Sequence, residues 1–407
     1  MSKTLLIVSG GAEAIPGILK AKEMGLHVVV SDYNPDAPGF LYADDRIIAS
    51  TYDVEETVGA AKEFHEKVRP IDGVICVASD VPLTVASVAE KLGLPGLNVE
   101  TARLASDKLA MKDKFCATGI PVPWYKAVFS AEELRSLCME KGFSLIIKPV
   151  DSRGARGVLL IKSDTDLKEA FNTALENSPT GRVMVEEFIS GPQISTEAVI
   201  VDGTGYNLGF ADRNYEEMEK YAPHIIENGG TQPSILPAPI QKDIANLAIR
   251  AGKALGVTNG IVKGDMVFGP RGPMVIEVAT RLSGGYFSSD QIPLHTGVDI
   301  LKAAIKLALG QRVNPHELER TRDQAVAIRY FFPPEGLIKK LPDISAVKQM
   351  PGVNKVVLAV AEEEVIEKQT NHTKRAGCVI TVAVKREDAV RYARDVVAKV
   401  EQEFIIS

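Results

Sequence analysis

Over its first hundred residues the sequence switches repeatedly between two hydrophobic periods. Short β-rich runs at Thr4 to Ser9, His27 to Ser31 and Gly73 to Ala78 alternate with helical patterns at Ile15 to Met24, Val54 to Val68 and Val81 to Leu92. A chain that alternates strand and helix in this way crosses over between parallel strands, and right-handed crossovers place helices on both faces of the sheet. A doubly wound N-terminal domain over residues 1-100 is the consequence. After the first strand, Ser9-Gly10-Gly11-Ala12-Glu13 can bring backbone amides and a helix N-terminus to a ligand, but it is not GxGxxG. A nicotinamide dehydrogenase therefore lacks its glycine fingerprint. Asp32 stands where a ribose-binding acid would sit, yet Asp-Tyr-Asn-Pro is equally good turn chemistry, and the turn is the favoured reading.

With 407 residues there is room for two or three domains at about 150 residues each. The 45% hydrophobic and 25% charged residues support a sizeable core and exclude disorder. Lys plus Arg number 47 against 53 Asp plus Glu, so overall charge does not hold this chain to nucleic acid. No apolar stretch approaches the roughly 18 to 20 residues that span a bilayer, and the N-terminal LLIV run is too short for a secretory segment. Cys76, Cys116, Cys138 and Cys378 show no CxxC spacing and read as reduced, mostly structural thiols. The expectation is a soluble cytoplasmic protein with no membrane and no nucleic acid among its partners.

Beyond Leu94-Pro95-Gly96 the pattern changes. Thr101 caps a helix expected to run to Thr118, followed by Pro121 and Pro123. Strands near Trp124 to Phe129, Ser144 to Lys148, Val158 to Lys162 and Arg182 to Phe188 mix with helices capped by Ser130 and Ser163, giving a small α+β unit. Residues Ile194 to Arg213 and Gly260 to Val278 read as longer strands, the second interrupted by the hairpin Gly269-Pro270-Arg271-Gly272-Pro273. A loop from about Asn214 to Pro239 lies between them. A helix near Ile300 to Leu309, strands near Val326 to Phe332, Val353 to Ala361 and Gly377 to Val384, and a helix from Arg386 to Phe404 complete an α+β tail. No internal repeat supports a solenoid.

Three segments carry chemistry. In the first, a strand delivers Lys148 into Pro149-Val150-Asp151-Ser152-Arg153-Gly154-Ala155-Arg156-Gly157, whose backbone amides can wrap phosphate oxygens while Lys148 supplies a point charge. An ordinary Gly-containing hairpin with a solvated Arg face fits the same letters, and it is not a Walker A loop. In the second, Val183 to Pro192 ends an apolar strand in the paired acids Glu186 and Glu187, which either present groups to a base or simply run out into solvent. In the third, Asp265 and Glu277 lie on two apolar strands joined by the hairpin, so they are expected as cross-strand neighbours. That like-charge pairing is costly unless cations sit between them. Hard oxygen ligands suit Mg²⁺ together with substrate phosphates, and Arg281, four residues on, can neutralise a transferred phosphoryl group.

In this order the three segments resemble the ATP-grasp superfamily, specifically its carboxylate-amine ligases and carbamoyl-phosphate-synthase-like relatives, with a tail similar to that of L-amino acid ligases. The resemblance covers about residues 1 to 315. It implies an α/β and α+β fold: the doubly wound domain, an ATP-grasp domain over 101-315 with its lid at about 120-190, and a C-terminal α+β domain over 316-407. It implies that Lys108 and Lys148 hold nucleotide phosphates and that the loop with Ser152, Gly154, Ala155 and Gly157 is the phosphate lid. Glu186 with the Glu187, Phe188 and Ile189 backbone corresponds to the adenine hinge, and Gln193 stands where many relatives place a ribose-binding Glu. Asp265 and Glu277 correspond to the magnesium ligands, with Mn²⁺ as a substitute, and Ala279 stands where many relatives have a metal-binding Asn.

The activity so implied is ATP-dependent amide formation between a small-molecule carboxylate and an amine, amino acids above all, through an acyl phosphate that Arg281 stabilises. Arg281 with the Ser283, Gly284 and Gly285 amides is the expected carboxylate grip, and His224, in the loop between core strands, a candidate acceptor-pocket residue. A homodimer is the expected assembly. The rivals are a bicarbonate-activating enzyme of the carbamoyl-phosphate-synthase or biotin-carboxylase kind, and a non-catalytic nucleotide-binding protein. Only one ATP-grasp unit counts against the first; Asp265, Glu277 and Arg281 together count against the second.

Overall fold

The computed structural model describes residues 2–407. β1 (Thr4–Val8) is wholly buried, as a strand covered by helices on both faces must be. It pairs in parallel with β2 (His27–Asp32) and with the short β4 (Gly73–Ile75), and β2 pairs with β3 (Asp45–Ile48), giving the order β3-β2-β1-β4. Asp32 serves the turn: its carboxylate accepts from the backbone N–H of Asn34 at 3.0 Å and of Gly10 at 2.8 Å.

The helix expected from Thr101 to Thr118 is two helices, Val99–Ser106 and Lys108–Ala117. Asp107 breaks it, because in extended geometry its carboxylate can accept from Ala110 N–H and cap the second helix. β5 (Tyr125–Val128), β6 (Leu145–Pro149), β7 (Leu159–Ile161) and β8 (Val183–Glu187) form an antiparallel sheet in the order β5-β8-β6-β7. Helices Ala131–Lys141 and Leu167–Glu176 belong to this unit. Ser130 caps the first as expected; Asp166, not Ser163, caps the second by accepting from Lys168 and Glu169 N–H.

β9 (Gln193–Val201) and β10 (Thr204–Arg213) form one hairpin, and β12 (Gly260–Gly269) and β13 (Gly272–Ala279) another. Between the hairpins the sequence reading missed two elements: β11 (Gly230–Gln232), inside the expected loop, and the helix Ala238–Leu255. Three residues carry too little periodicity to announce a strand, yet β11 joins β10 to β14 (Ala325–Tyr330) and so extends one sheet into the C-terminal tail. Of the remaining strands, β15 (Gly336–Lys340), β17 (Val365–Ile366) and β19 (Ile405–Ile406) make a small separate sheet, while β16 (Val353–Leu358) and β18 (Gly377–Ala383) join the large one. The eight-stranded order is β13-β12-β9-β10-β11-β14-β18-β16, backed by Ala238–Leu255 and by the helix Arg386–Glu403.

The turn into β11 depends on one backbone conformation. Gly229 has φ +75, and a Cβ there would lie 2.1 Å from the Ile328 carbonyl oxygen. Gly203, in the β9–β10 turn, has φ +76 but nothing within 4 Å. Gly203→Ala should therefore cost about 1 kcal/mol of left-handed strain, whereas Gly229→Ala should cost at least about 3 kcal/mol from strain and backbone collision together. Urea denaturation of the two variants measures the difference; equal losses would mean that β11 does not need this close approach.

Candidate functional site

A cleft of about 660 Å³ opens between the two larger antiparallel sheets and is closed at its ends by the N-terminal and C-terminal parts of the chain. Asp265 and Glu277 both line it, and a bulge that leaves Ile276 of β13 unpaired makes the two register partners across β12 and β13. The cations that such a pair demands are present. Arg213 Nη1 lies 2.7 Å from Asp265 Oδ1, Lys263 pairs with the other Asp265 oxygen, and Lys108 Nζ stands 3.4 Å from Glu277. Burial alone would push the Asp265 carboxyl up, but Arg213 and Lys263 hold it well below the usual carboxylate range. Two facing carboxylates fit a divalent cation that keeps water and takes phosphate oxygens, and no cluster of three or more potential ligands occurs among the described residues. Ala279 reaches the cleft wall without offering a donor.

The sheet β5-β8-β6-β7 contributes a buried charge triad. Lys148 on β6 and Lys112 on the helix Lys108–Ala117 lie 2.5 Å and 2.9 Å from the two oxygens of Glu186, all three side chains at most 5% exposed. Burial opposes the charge on Glu186, and the two ammoniums outweigh it and lower its pKa; burial lowers that of Lys112. Lys148 donates a hydrogen bond to Glu186 Oε1, while Lys112 meets Oε2 as an ion pair outside hydrogen-bond geometry. Lys112 was not singled out from the sequence, although its spacing of four from Lys108 puts the two on one helix face.

The loop after β6 is docked on three sides. Lys108 Nζ donates to Ser152 O at 2.6 Å, the Arg153 guanidinium stacks 3.9 Å above the Tyr52 ring, and Gly154 O accepts from His372 N–H at 3.0 Å. Gly157 is not on the cleft wall; its φ of +69 lets the chain pass Pro149 and Asn177, where a Cβ would collide. Glu187, Phe188, Ile189 and Gln193 lie along the cleft, as do Ser152, Gly154 and Ala155.

Arg281 reaches back to the N-terminal domain. Its Nε and Nη2 lie 2.7 Å and 2.5 Å from Asp80 Oδ1, beside a parallel bridge between Val77 and Leu282. Burial works against both charges, and their mutual attraction prevails, raising the Arg281 pKa and lowering that of Asp80. Asp80 was missed, although the carboxyl end of a parallel strand is where an open α/β sheet places its ligand groups. Of the three amides expected to grip a carboxylate, Ser283 N–H is taken by Glu197 at 3.2 Å and Gly285 N–H by Glu13 at 2.7 Å. Burial raises the Glu13 pKa against the lowering pull of that Gly285 bond.

His224 stands away from the cleft wall. It is half of an isolated bridge to Leu159 that ties the loop to the sheet β5-β8-β6-β7, and burial lowers its pKa. The histidine that does line the cleft is His372, near Arg375, which stacks 3.7 Å over the Tyr330 ring. These C-terminal residues carry no local signal in sequence; only the continuation of the sheet through β11 brings them here.

Comparison with known proteins places these elements. An ATP-grasp domain model matches residues 105–285, an ATP-grasp N-terminal domain model residues 18–96, and the model of L-amino acid ligase C-terminal domain 2 residues 329–404. The chain contains an ATP-grasp domain and an ATP-grasp N-terminal domain. The crystal structure of an L-amino acid ligase from Bacillus licheniformis superposes with a TM-score of 0.86 at 21% identity, covering 100% of this chain and 99% of that one, which establishes the shared fold. An uncharacterized protein of Sinorhizobium fredii is 26% identical over 396 residues, 96% of this chain and 80% of that protein. A D-alanine–D-alanine ligase of Gloeobacter violaceus is 34% identical over 203 residues, 46% of this chain and 64% of that protein. The chain thus aligns with under two thirds of the length of that ligase. No helix of this ATP-grasp protein is long and apolar enough to cross a membrane among the described residues.

Two predictions follow from these charges. Glu186→Gln strands two buried ammoniums and should cost about 3 kcal/mol in chemical denaturation; a loss below about 1 kcal/mol would mean the triad is not held as described. His372 is held well below its ordinary pKa by burial first, then by Arg375 and Arg213. In the unfolded chain it titrates near about 6.5, so the unfolded state binds the extra proton and stability falls as pH drops below that value. Denaturation at several pH values between 7.5 and 5.5 should give a shallower slope for His372→Gln, His224 and His295 supplying the remainder. An unchanged slope would remove His372 from the account.

Proposed function

We propose that this ATP-grasp ligase joins two amino acids, or an amino acid and another amine, through an acyl phosphate. The observation that carries the reading is the convergence of Asp265, Glu277 and Arg281 with Lys108 and Lys148 on one cleft. A carboxylate is a poor electrophile and ATP is an anion, so the task is to bring the two together without mutual repulsion and to keep water out. In the proposed reaction a substrate carboxylate oxygen attacks the γ-phosphorus and the bond to ADP breaks. The amine nitrogen then adds to the acyl carbon and loses a proton, and phosphate leaves as the amide forms.

Lys108 and Lys148 are assigned to the nucleotide phosphates. Mg²⁺ bound through Asp265 and Glu277 would supply charge neutralisation on those phosphates. The backbone of Glu187 to Ile189 is assigned to the adenine edge, since Glu186 itself is engaged by two lysines. Gln193 is assigned to the ribose. Arg281, oriented by Asp80, is assigned to the acyl phosphate and the negative charge that develops on amine attack. With two of the Ser283 to Gly285 amides occupied, Arg281 and Arg375 are the cations proposed to meet the substrate carboxylates. Arg375 Nε is buried with no hydrogen-bond partner among the described residues. Assembly as a homodimer in the cytoplasm is part of this proposal.

Phosphate release from ATP and Mg²⁺ across amino acids offered singly and in pairs is the test. Pair-dependent release is expected, and Arg281→Ala should reduce it by at least about three orders of magnitude while ATP affinity changes less than about threefold. Release with bicarbonate alone would move the protein to the carboxylating rival. Equal loss of ATP binding and turnover would remove Arg281 from its assigned role.

A further inference from the structure

Behind the large sheet lies a second cavity, of about 780 Å³. Strand alternation builds it: on β14 Ile328 and Tyr330 reach the catalytic cleft, and Arg329 between them lines the second cavity. The helix Arg386–Glu403 forms the other wall, with Arg386, Val390 and Arg394 recurring every four residues along one face.

Arg329 is the feature that calls for a ligand. The residue is 4% exposed, yet its guanidinium meets no carboxylate within ion-pairing distance among the described residues. Nη1 and Nη2 reach only uncharged oxygens, those of Gly230, Ile328 and Thr231, and Nε has no partner at all. A buried cation left in this condition is unfavourable, and burial lowers its pKa to about 10, with Glu216 opposing and Arg394 and Arg386 reinforcing. The acids on the cavity walls do not relieve it. Asp212 is paired with Arg386 at 2.9 Å and Glu216 with Arg394 at 2.5 Å, while Glu387 and Asp395 stand out of reach. Arg394 is 60% exposed, with Glu216 as its one carboxylate partner among the described residues.

We propose that this cavity binds a small phosphate-bearing anion, with Arg329 as its floor and Arg386 and Arg394 as its rim. A guanidinium fork matches phosphate oxygens in a bidentate way, and the anion would supply the partner that Arg329 lacks. The site opens on the other face of the sheet from the catalytic cleft, sharing Gln193 and Arg213 with its lining, and the backbone step from Arg329 to Tyr330 also joins the two. Glu216 also accepts from Asn228 Nδ2 at 3.4 Å, and Asn228 Oδ1 in turn holds Tyr330 N–H at 3.0 Å.

The experiment titrates inorganic phosphate, glucose 6-phosphate and citrate into the full-length protein, reading calorimetric affinity and thermal midpoint. Wild type is compared with Arg394→Glu, Arg329→Met and, as a cleft control, Lys108→Met. Saturable phosphate binding is expected in wild type and Lys108→Met alike, weakened at least tenfold in Arg394→Glu and Arg329→Met. Arg394 is exposed, so its variant keeps the test valid if Arg329→Met does not fold. Tighter binding of glucose 6-phosphate than of phosphate would identify the organic ester as the ligand source, and the reverse would identify free phosphate. Binding lost in Lys108→Met but kept in Arg394→Glu would place the anion in the catalytic cleft and overturn the proposal. Absence of binding, or binding of citrate alone, would overturn it as well.

Discussion

Two carboxylates facing each other across adjacent strands set the terms for the rest of this molecule. Asp265 and Glu277 cannot both remain ionised in a partly buried cleft unless positive groups surround them. Those groups come from three separate places: Arg213 at the end of β10, Lys263 two residues before Asp265, and Lys108 on a helix outside the sheet. Each of these cations is tied to a second part of the fold. Arg213 also holds Glu227, Lys108 holds the carbonyl of Ser152 in the loop after β6, and Lys263 is carried on β12, whose backbone pairs with β9. Charge compensation at one pair of acids thereby fixes how the large sheet, the helix and that loop meet.

The same logic recurs in the sheet β5-β8-β6-β7, where Glu186 is neutralised by Lys112 and Lys148, and at the domain junction, where Asp80 orients Arg281. In all three places a group proposed to meet phosphate is held in position by a carboxylate of the protein. This is preorganisation: the cations are already desolvated and aimed before an anionic substrate arrives. Arg329 departs from the pattern, being as buried as the others but without an acid.

Much of this was legible in the sequence because it is local. That Asp265 and Glu277 come close follows from two apolar strands and a short turn, but counting from the Gly269–Gly272 hairpin would set Asp265 against Ile276, and the one-residue shift that brings Glu277 opposite it has no signal in the sequence. That Lys148 ends a strand and a Gly-containing loop follows it is read from an apolar run meeting small and charged residues. What else was not legible depends on distant pairing. β11 has only three residues, and without it nothing in the tail suggests that His372 and Arg375 reach the cleft. The partial occupation of the Ser283 to Gly285 amides by Glu197 and Glu13 is likewise invisible, since those acids lie on other strands and loops. His224 attracted notice as a loop histidine, and the bridge to Leu159 that places it could not be read from either segment alone.

The central claim is that a substrate carboxylate is phosphorylated before the amine attacks. An amino acid carrying ¹⁸O in its carboxylate, turned over with unlabelled ATP and an acceptor amine, tests that step directly. Because the attacking carboxylate oxygen stays on phosphorus when the amide forms, each released phosphate should carry one ¹⁸O from fully labelled substrate, detected by mass spectrometry alongside ADP. Unlabelled phosphate accompanying amide formation, or AMP and pyrophosphate in place of ADP and phosphate, would contradict the account.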